Sequence, residues 1–227
     1  MFQHQRVPVA RARNVQSATL FNQARFSTNR IFQPAKEMNL KTQLAAFMIS
    51  AAIALPAAAA DSYTVDPAHT YPNFEINHLG FSTMHGRFGA TSGKIVLDTA
   101  AKSGSIDITI DATSIDTGHA KRDTHLKSDE FFNVAKFPTL AYKATKLTFY
   151  GDKLSGADGT LTLLGVTKPV SLTVTAFNCG PHPMNKKPMC GANATATIKR
   201  SEFGLSTYVP AVGDEVRITI EVEALKD

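Results

Sequence analysis

The chain lacks the short sequence patterns by which many enzymes can be recognised. The nucleophile pattern G-x-S-x-G, the phosphate-binding P-loop and the glycine-rich dinucleotide fingerprint do not occur in its 227 residues. The histidines are the remaining candidates, but no two of them have metal-ligand spacing on a helix or strand with acidic companions; those considered are His69, His78, His85, His119 and His125. The sequence therefore predicts no catalysis, no metal and no other cofactor.

An excess of positive charge is also lacking once the first 60 residues are set aside. The whole chain has a formal net charge of +5, but residues 61–227 contain 17 Lys and Arg against 18 Asp and Glu, a net charge of −1. Surfaces that bind nucleic acid need a basic footprint. The sequence therefore predicts no nucleic-acid partner.

Cysteine is nearly absent, with only Cys179 and Cys190 in the segment CGPHPMNKKPMC. Two cysteines that close a short, proline-rich loop in an exported protein are typical of a disulfide. The alternative is a metal site with His182 as a third ligand, but this pattern lacks a fourth ligand and matches no common zinc spacing. We therefore predict a disulfide between the two cysteines.

The first 60 residues have the composition of processing segments and not of a folded domain. Residues 38–60 begin with methionine, carry Lys41 before an uncharged stretch, and end in small residues before Asp61. These features are typical of a cleavable signal peptide, and Pro56 and the missing basic flank disfavour a membrane anchor. We predict export after cleavage at Asp61. Residues 1–37 are then a basic leader, or upstream sequence translated from too early a start codon.

Alternating apolar and polar residues dominate the rest of the chain. The alternation is clearest in four segments, at residues 105–111, 170–176, 192–198 and 216–222. A period of two is typical of strands with one buried face, and glycine-containing turn signals separate these segments. About eight such strands predict an all-β fold, either a closed antiparallel barrel or a sandwich. An eight-stranded barrel can enclose one small apolar ligand.

One segment departs from the alternation. Residues 122–138 read RDTHLKSDEFFNVAKFP, in which charged residues precede three phenylalanines and a proline. An amphipathic insert in an all-β chain is typical of a plug or lid at the mouth of a barrel, and we predict a short helical insert near residues 120–135. The phenylalanines either line a cavity for an apolar ligand or cap a dry core, and the sequence leaves both alternatives open.

Several motifs, taken in their order along the chain, resemble a known family. They are YTVDPAHT at 63–70, FEINHLG at 74–80, RDTHLKSDEFF at 122–132, GADGTLTLLGVTKP at 156–169 and RSEFG at 200–204. This order is similar to that of the YceI-like family of periplasmic polyisoprenoid-binding proteins, and the resemblance covers essentially all of residues 62–225.

The resemblance implies a fold and a function. The fold would be a single antiparallel, eight-stranded, lipocalin-like barrel over residues 61–227, and its apolar interior would hold an isoprenoid chain in the periplasm without catalysis. Together with the alternation, the resemblance predicts an apolar site formed by Phe74, Ile76, Phe81, Phe88, Ile108, Ile110, Phe131, Phe132, Phe137, Leu161 and Leu163.

A polar head group on such a lipid would need partners at the mouth. Arg122, His125 and Lys127 directly precede the phenylalanine pair. With the start of a helix, these cations predict a site for a phosphate or pyrophosphate. The alternative is that Arg122 pairs with a neighbouring carboxylate and only holds the insert in place.

Two other functions stay open on the sequence. The chain could be an accessory enzyme or redox partner that acts on isoprenoid quinones, or a stress-induced structural protein without a ligand. The predicted partner is an isoprenoid lipid, either a polyprenyl phosphate or pyrophosphate or a quinone. A homodimer and a transient membrane contact are both compatible with the sequence.

Overall fold

Eleven β-strands and one short helix form the fold of residues 60–227, the part of the chain that the computed structural model describes. The predicted leader (1–37) and all but the last residue of the predicted signal peptide (38–60) lie outside the described residues. The strands are β1 (Asp61–Val65), β2 (Tyr71–His78), β3 (Ser82–Phe88), β4 (Thr91–Asp98), β5 (Ser103–Asp111), β6 (Ile115–Asp116), β7 (Thr139–Tyr150), β8 (Lys153–Leu163), β9 (Val166–Pro181), β10 (Pro188–Lys199) and β11 (Val212–Lys226).

The eleven strands occupy eight positions in a closed antiparallel barrel. β1 and β2 both pair with β11, one after the other along its length, so together they fill one position. β3 and β4 share the second position, because β3 pairs with β2 and β4 pairs with β1. β5 and β6 share the third position, because β5 pairs with β4 and β6 pairs with β3. The remaining five strands follow as a meander, and the β1–β11 pairing closes the ring. The prediction of an eight-stranded antiparallel barrel is confirmed.

Alternation explains why these segments form the wall. Ile106, Ile108 and Ile110 of β5 all line the interior, whereas Asp107 and Thr109 between them are exposed. All four of the clearest alternating segments fall within single strands, namely β5, β9, β10 and β11. The apolar face of each strand is thereby removed from water inside the barrel.

The insert contains a shorter helix than the sequence predicted. The helix α1 covers only Ala120–Leu126, whereas we expected helical structure near residues 120–135. After Leu126 the chain folds back, because the amides of Phe132 and Val134 donate to the carbonyl oxygens of Leu126 and Lys127 at 3.0 and 3.2 Å. These bonds satisfy carbonyls that the end of a helix leaves free. The described residues contain no helix with the length and apolar character that a bilayer crossing requires.

The predicted disulfide is confirmed. Cys179 of β9 and Cys190 of β10 face each other in the strand register, with their Cα atoms 4.1 Å apart. The bond therefore joins two neighbouring strands next to the β9–β10 hairpin, and it cross-links a short loop.

We expect Cys179→Ala to lower the free energy of unfolding by about 3 kcal/mol, since a cross-link of this loop length restricts the unfolded chain by roughly that amount. The strand pairing on both sides remains, so the barrel itself should persist. Denaturant titration of the variant beside the oxidised parent protein measures the difference. Equal unfolding midpoints and slopes would show that the cross-link contributes nothing.

Candidate functional site

An apolar cavity of about 410 Å³ runs along the inside of the barrel. Its volume falls in the range of about 300–1,000 Å³ that is typical of small-molecule sites. All eight positions of the wall contribute side chains to it, and so do the insert and the segment that connects β10 to β11. The interior is therefore a cavity and not a solid core.

Most of the residues predicted from alternation and resemblance lie on this cavity. Nine of the eleven line it, and they are Phe74, Ile76, Phe88, Ile108, Ile110, Phe131, Phe132, Leu161 and Leu163. They come from β2, β3, β5, β8 and the insert, so the fold brings together residues that are far apart in the sequence. Their contact with a ligand stays a prediction.

The other two phenylalanines of the predicted site lie elsewhere. Phe81 is 91% exposed, because it follows the tight turn between β2 and β3 and points away from the wall. Phe137 is half-buried outside the cavity and lies against the β8–β9 turn, where a Cβ at Gly165 would come within 2.9 Å of its ring. Phe81 and Phe137 therefore do not line the cavity, and their contact with a ligand stays a prediction that the geometry does not favour.

A chain of aromatic rings connects the barrel wall to the insert. The ring centroids of Phe74 and Phe88 are 5.9 Å apart, and Phe88 meets Phe132 edge-to-face at 5.5 Å. Gly86 makes room for this cluster, since a Cβ there would come within 2.3 Å of the Phe74 ring. Phe132 thus packs into the barrel, whereas the Phe131 ring contacts His125 and Tyr208, with centroids 5.0 and 6.1 Å apart.

The two ends of the cavity differ in their access to solvent. At the end with the disulfide, which we call the closed end, several lining residues are buried, among them Tyr63, Leu97, Leu154 and Cys190. At the opposite end, which we call the mouth, the lining residues are half-buried or exposed; they include Ile76, His78, Met84, His125, Phe131 and Tyr208. A ligand would therefore enter at the mouth.

The wall is incomplete on one side of the mouth. β3 pairs with β2 along its whole length, but it pairs with β6 only at Arg87 and Phe88. In the described part of the chain, residues 82–86 consequently have no strand partner on their other edge. On this side of the mouth the insert therefore adjoins an unpaired edge of β3.

Two of the three predicted head-group residues, Arg122 and His125, already have polar partners in the protein. Arg122 donates from Nε to the Thr117 hydroxyl at 2.7 Å and from Nη2 to the Thr117 carbonyl oxygen at 2.6 Å. The Nε2 atom of His125 lies 2.6 Å from the Oε2 atom of Glu130. Arg122 and His125 line the cavity. Lys127 directly follows the last residue of the helix and does not line the cavity. The geometry favours a structural role for Arg122, as in the alternative from the sequence. The partner that holds Arg122 is Thr117, however, and not a neighbouring carboxylate.

Two polar residues on the cavity wall were missed by the sequence reasoning. The Tyr142 hydroxyl donates to the carbonyl oxygens of Ala157 and Val170, at 3.1 and 3.0 Å, and burial raises the pKa of Tyr142 to about 12. The hydroxyl therefore stays neutral at ordinary pH. The Thr91 hydroxyl is buried without a hydrogen-bond partner among the described residues. Alternation within β7 could have placed Tyr142 inside, together with Leu140.

A buried arginine, also missed, fixes the segment beside the mouth. Arg200 is 5% exposed and donates to the carbonyl oxygens of Leu205, Val212 and Gly213 at 2.7, 3.0 and 2.8 Å. Burial lowers the pKa of Arg200, partly offset by the nearby Asp214 carboxylate. Alternation does not identify such a residue, because its partners lie 5 to 13 residues away, in the β10–β11 connection and at the start of β11.

Three possible metal ligands meet outside the cavity, at the break between β1 and β2. Ligand atoms of Asp66, His69 and Glu223 lie within 4.8 Å of one another. Asp66 also accepts a hydrogen bond from the Ala68 amide at 2.9 Å, so it forms a turn that precedes β2. The hydrogen bond between Asp66 and His69 lowers the pKa of the carboxyl group and raises that of the imidazole. This geometry is that of an exposed ion pair, and the absence of a metal stays a prediction.

A closed meander of eight strand positions around a lengthwise apolar cavity defines the class of up-and-down β-barrels with an internal cavity. Within that class, the chain belongs to the YceI-like family, because the model of the YceI-like domain matches residues 63–224. A curated relative, Protein YceI of Salmonella arizonae, is 38% identical over 172 residues, which cover 74% of this chain and 89% of the relative. The family resemblance found in the sequence is confirmed.

Solved structures have the same architecture. The YceI protein of Campylobacter jejuni is 30% identical, with a TM-score of 0.57, and the match covers 67% of this chain and 90% of that protein. A polyisoprenoid-binding domain from Saccharophagus degradans is 18% identical, with a TM-score of 0.53, and the match covers 73% of this chain and 98% of that domain. At this identity, the second comparison shows a shared fold alone.

Proposed function

We propose that the protein is a periplasmic carrier that holds the chain of an amphipathic isoprenoid lipid inside its barrel. The observation that carries the proposal is the apolar cavity of about 410 Å³, which is closed at one end and accessible at the mouth. A long hydrocarbon chain fits such a shape, because its favourable transfer from water grows with the apolar area that is buried.

The family and its structural neighbours support the choice of ligand. The chain is a YceI-like protein, and a neighbour of the same fold is described as a polyisoprenoid-binding domain. The cavity also argues against a structural protein with a dry core, because a solid core would leave no such space.

Two features support the periplasm. The sequence of residues 38–60 has the pattern of a cleavable signal peptide, and the cysteines form a disulfide, which is typical of oxidising compartments. Sequencing the N-terminus of protein recovered from the periplasm tests this part, with Asp61 as the expected first residue.

The head group of the lipid would remain at the mouth, since a charged group is costly to bury in an apolar interior. Arg122 and His125 line the cavity there, although both already have polar partners in the protein. A phosphate, a pyrophosphate or a quinone would each meet these two residues first.

The Phe132→Ala variant tests whether the insert contributes to the site. We expect it to remain folded and to lose about tenfold in affinity for an isoprenoid alcohol, because its ring adds apolar area to the cavity. Titration with a fluorescent isoprenoid analogue measures the affinity, and a thermal melt verifies the fold.

The matched control is Phe137→Ala, which removes the same side chain from the same insert but from outside the cavity. It should lower the melting temperature and leave the affinity unchanged. Equal affinities for the two variants would mean that Phe132 only caps the core and that the ligand does not reach it.

A further inference from the structure

The mouth of the cavity is bordered by exposed apolar side chains. Leu79 is 50% exposed, Phe81 is 91% exposed and Tyr208 is 57% exposed. The Leu79 amide donates to the Ala211 carbonyl oxygen at 2.9 Å, which holds the β2–β3 turn against the loop that carries Tyr208. We call Leu79, Phe81 and Tyr208 the apolar rim. Several exposed large apolar side chains on neighbouring loops are a feature of surfaces that meet a partner.

The backbone of the turn keeps the rim in a fixed shape. Leu79 and Gly80 both have positive φ, at 57° and 74°, and the Phe81 amide donates to the His78 carbonyl oxygen at 3.0 Å. These are features of a type I′ turn, in which the first central position favours Asn, Asp or Gly. Leucine at this position is both strained and exposed, so the fold itself does not account for it.

The segments that form the rim contain no charged residue. Neither residues 76–86 nor residues 203–213 include Asp, Glu, Lys or Arg, in a chain that is 19% charged. A surface that enters the apolar part of a bilayer must avoid charges, because removing them from water is costly. An uncharged, aromatic-rich rim around the exit of an apolar cavity fits a lipid surface.

The closed end provides a contrast within the same molecule. Tyr150 is 85% exposed and Met184 is 87% exposed at that end. Both have charged neighbours in the sequence, since Asp152 and Lys153 follow the first and Lys186 and Lys187 follow the second. Exposed apolar residues therefore occur at both ends, but only those at the mouth lie in sequence segments without Asp, Glu, Lys or Arg.

We propose that the apolar rim docks on the surface of a lipid bilayer, with Phe81 inserted, so that the mouth faces the membrane and the lipid passes without crossing water. The inference rests on the proposed function, since docking matters to a carrier of a membrane lipid. The unpaired edge of β3 at residues 82–86 directly follows Phe81 of the rim, so it lies on the side of the mouth that would face the bilayer.

The chain contains no tryptophan, so single substitutions supply unique reporters. With vesicles of neutral phosphatidylcholine, the emission of Phe81→Trp should shift to shorter wavelength and be quenched by brominated acyl chains. Tyr150→Trp, an equally exposed position at the closed end, should respond to neither. Equal responses at both positions, or no response at Phe81→Trp, would overturn the proposal.

Vesicle sedimentation measures how strongly the protein partitions onto the bilayer. Phe81→Ser should lower partitioning about tenfold or more, because one fully buried phenylalanine is worth at least that factor, whereas Met184→Ser should leave it unchanged. Adding anionic lipid or salt should alter it little, since the rim is uncharged. Binding restricted to anionic vesicles and abolished by salt would contradict the proposal. The proposal would also be contradicted if the protein did not bind vesicles and formed a dimer that Phe81→Ser converts to a monomer.

Uptake of an isoprenoid alcohol from a soluble carrier separates the two proposals. Phe81 lies outside the cavity, so Phe81→Ser should take up the alcohol as the parent protein does. Uptake without docking would overturn the membrane inference alone. Docking without uptake would overturn the proposed function and leave the docking surface standing.

Discussion

Replacing Ile108 with aspartate should abolish isoprenoid binding and strongly destabilise the barrel. Ile108 lines the cavity from β5 and lies between Gly93 and Tyr142 in the strand register. Burying an aspartate side chain in an apolar interior costs several kcal/mol, even if the side chain takes up a proton and becomes neutral. A domain is stable by only about 5–15 kcal/mol, so this cost is a large part of the total. Denaturant unfolding and titration with a fluorescent isoprenoid analogue measure the two effects.

The neighbouring position supplies the control. Thr109→Asp places the same group one residue further along β5, on the exposed outer face. It should bind the lipid as the parent protein does and change the free energy of unfolding by less than about 0.5 kcal/mol, as surface substitutions usually do. Similar losses of affinity and stability in both variants would show that the isoleucines of β5 do not face the cavity.

Arg200→Met should lower the free energy of unfolding by about 3 kcal/mol or more. The substitution leaves the carbonyl oxygens of Leu205, Val212 and Gly213 without their donor, and each unsatisfied buried group costs about 1–3 kcal/mol. Two of these residues, Leu205 and Val212, also line the cavity. We therefore expect weaker lipid binding together with the lower stability.

Arg217→Met is the comparison for this prediction. Arg217 lies on the outer face of β11, where its side chain is 65% exposed and 3.4 Å from a carboxylate oxygen of Glu75. Exposed ion pairs contribute about 0–1 kcal/mol, so its loss should be small. If the two arginine variants unfold at the same denaturant concentration, the bonds of Arg200 do not stabilise the fold as we infer.

Much of the fold and part of the site could be predicted because alternation is a local signal. Ile108 and Ile110 belong to one alternating run, and the structure places both on the cavity. The position of Phe132 followed from its place in the amphipathic insert. These predictions needed only the period of two in a strand and the contrast between charged and apolar residues.

The differences between the expected and the observed structure came from features that alternation does not contain. Phe81 follows a turn in which Leu79 and Gly80 have positive φ, and such a turn changes the direction of the side chains that follow it. Three of the eight barrel positions are each filled by two strands, because short irregular segments such as residues 66–70 interrupt the alternation. The hydrogen bonds of Arg200 depend on how a loop folds back, which no periodic pattern records.

The measurement that tests the central claim most directly is the identification of the lipid that the protein carries. The protein is purified without detergent from the periplasm, denatured, extracted with organic solvent and analysed by mass spectrometry, with Phe132→Ala processed in parallel. We expect one isoprenoid lipid in amounts close to that of the protein, and distinctly less in the variant. An extract without isoprenoid would contradict an isoprenoid site inside the barrel, and the same amount of lipid from both proteins would show that Phe132 does not contribute to that site.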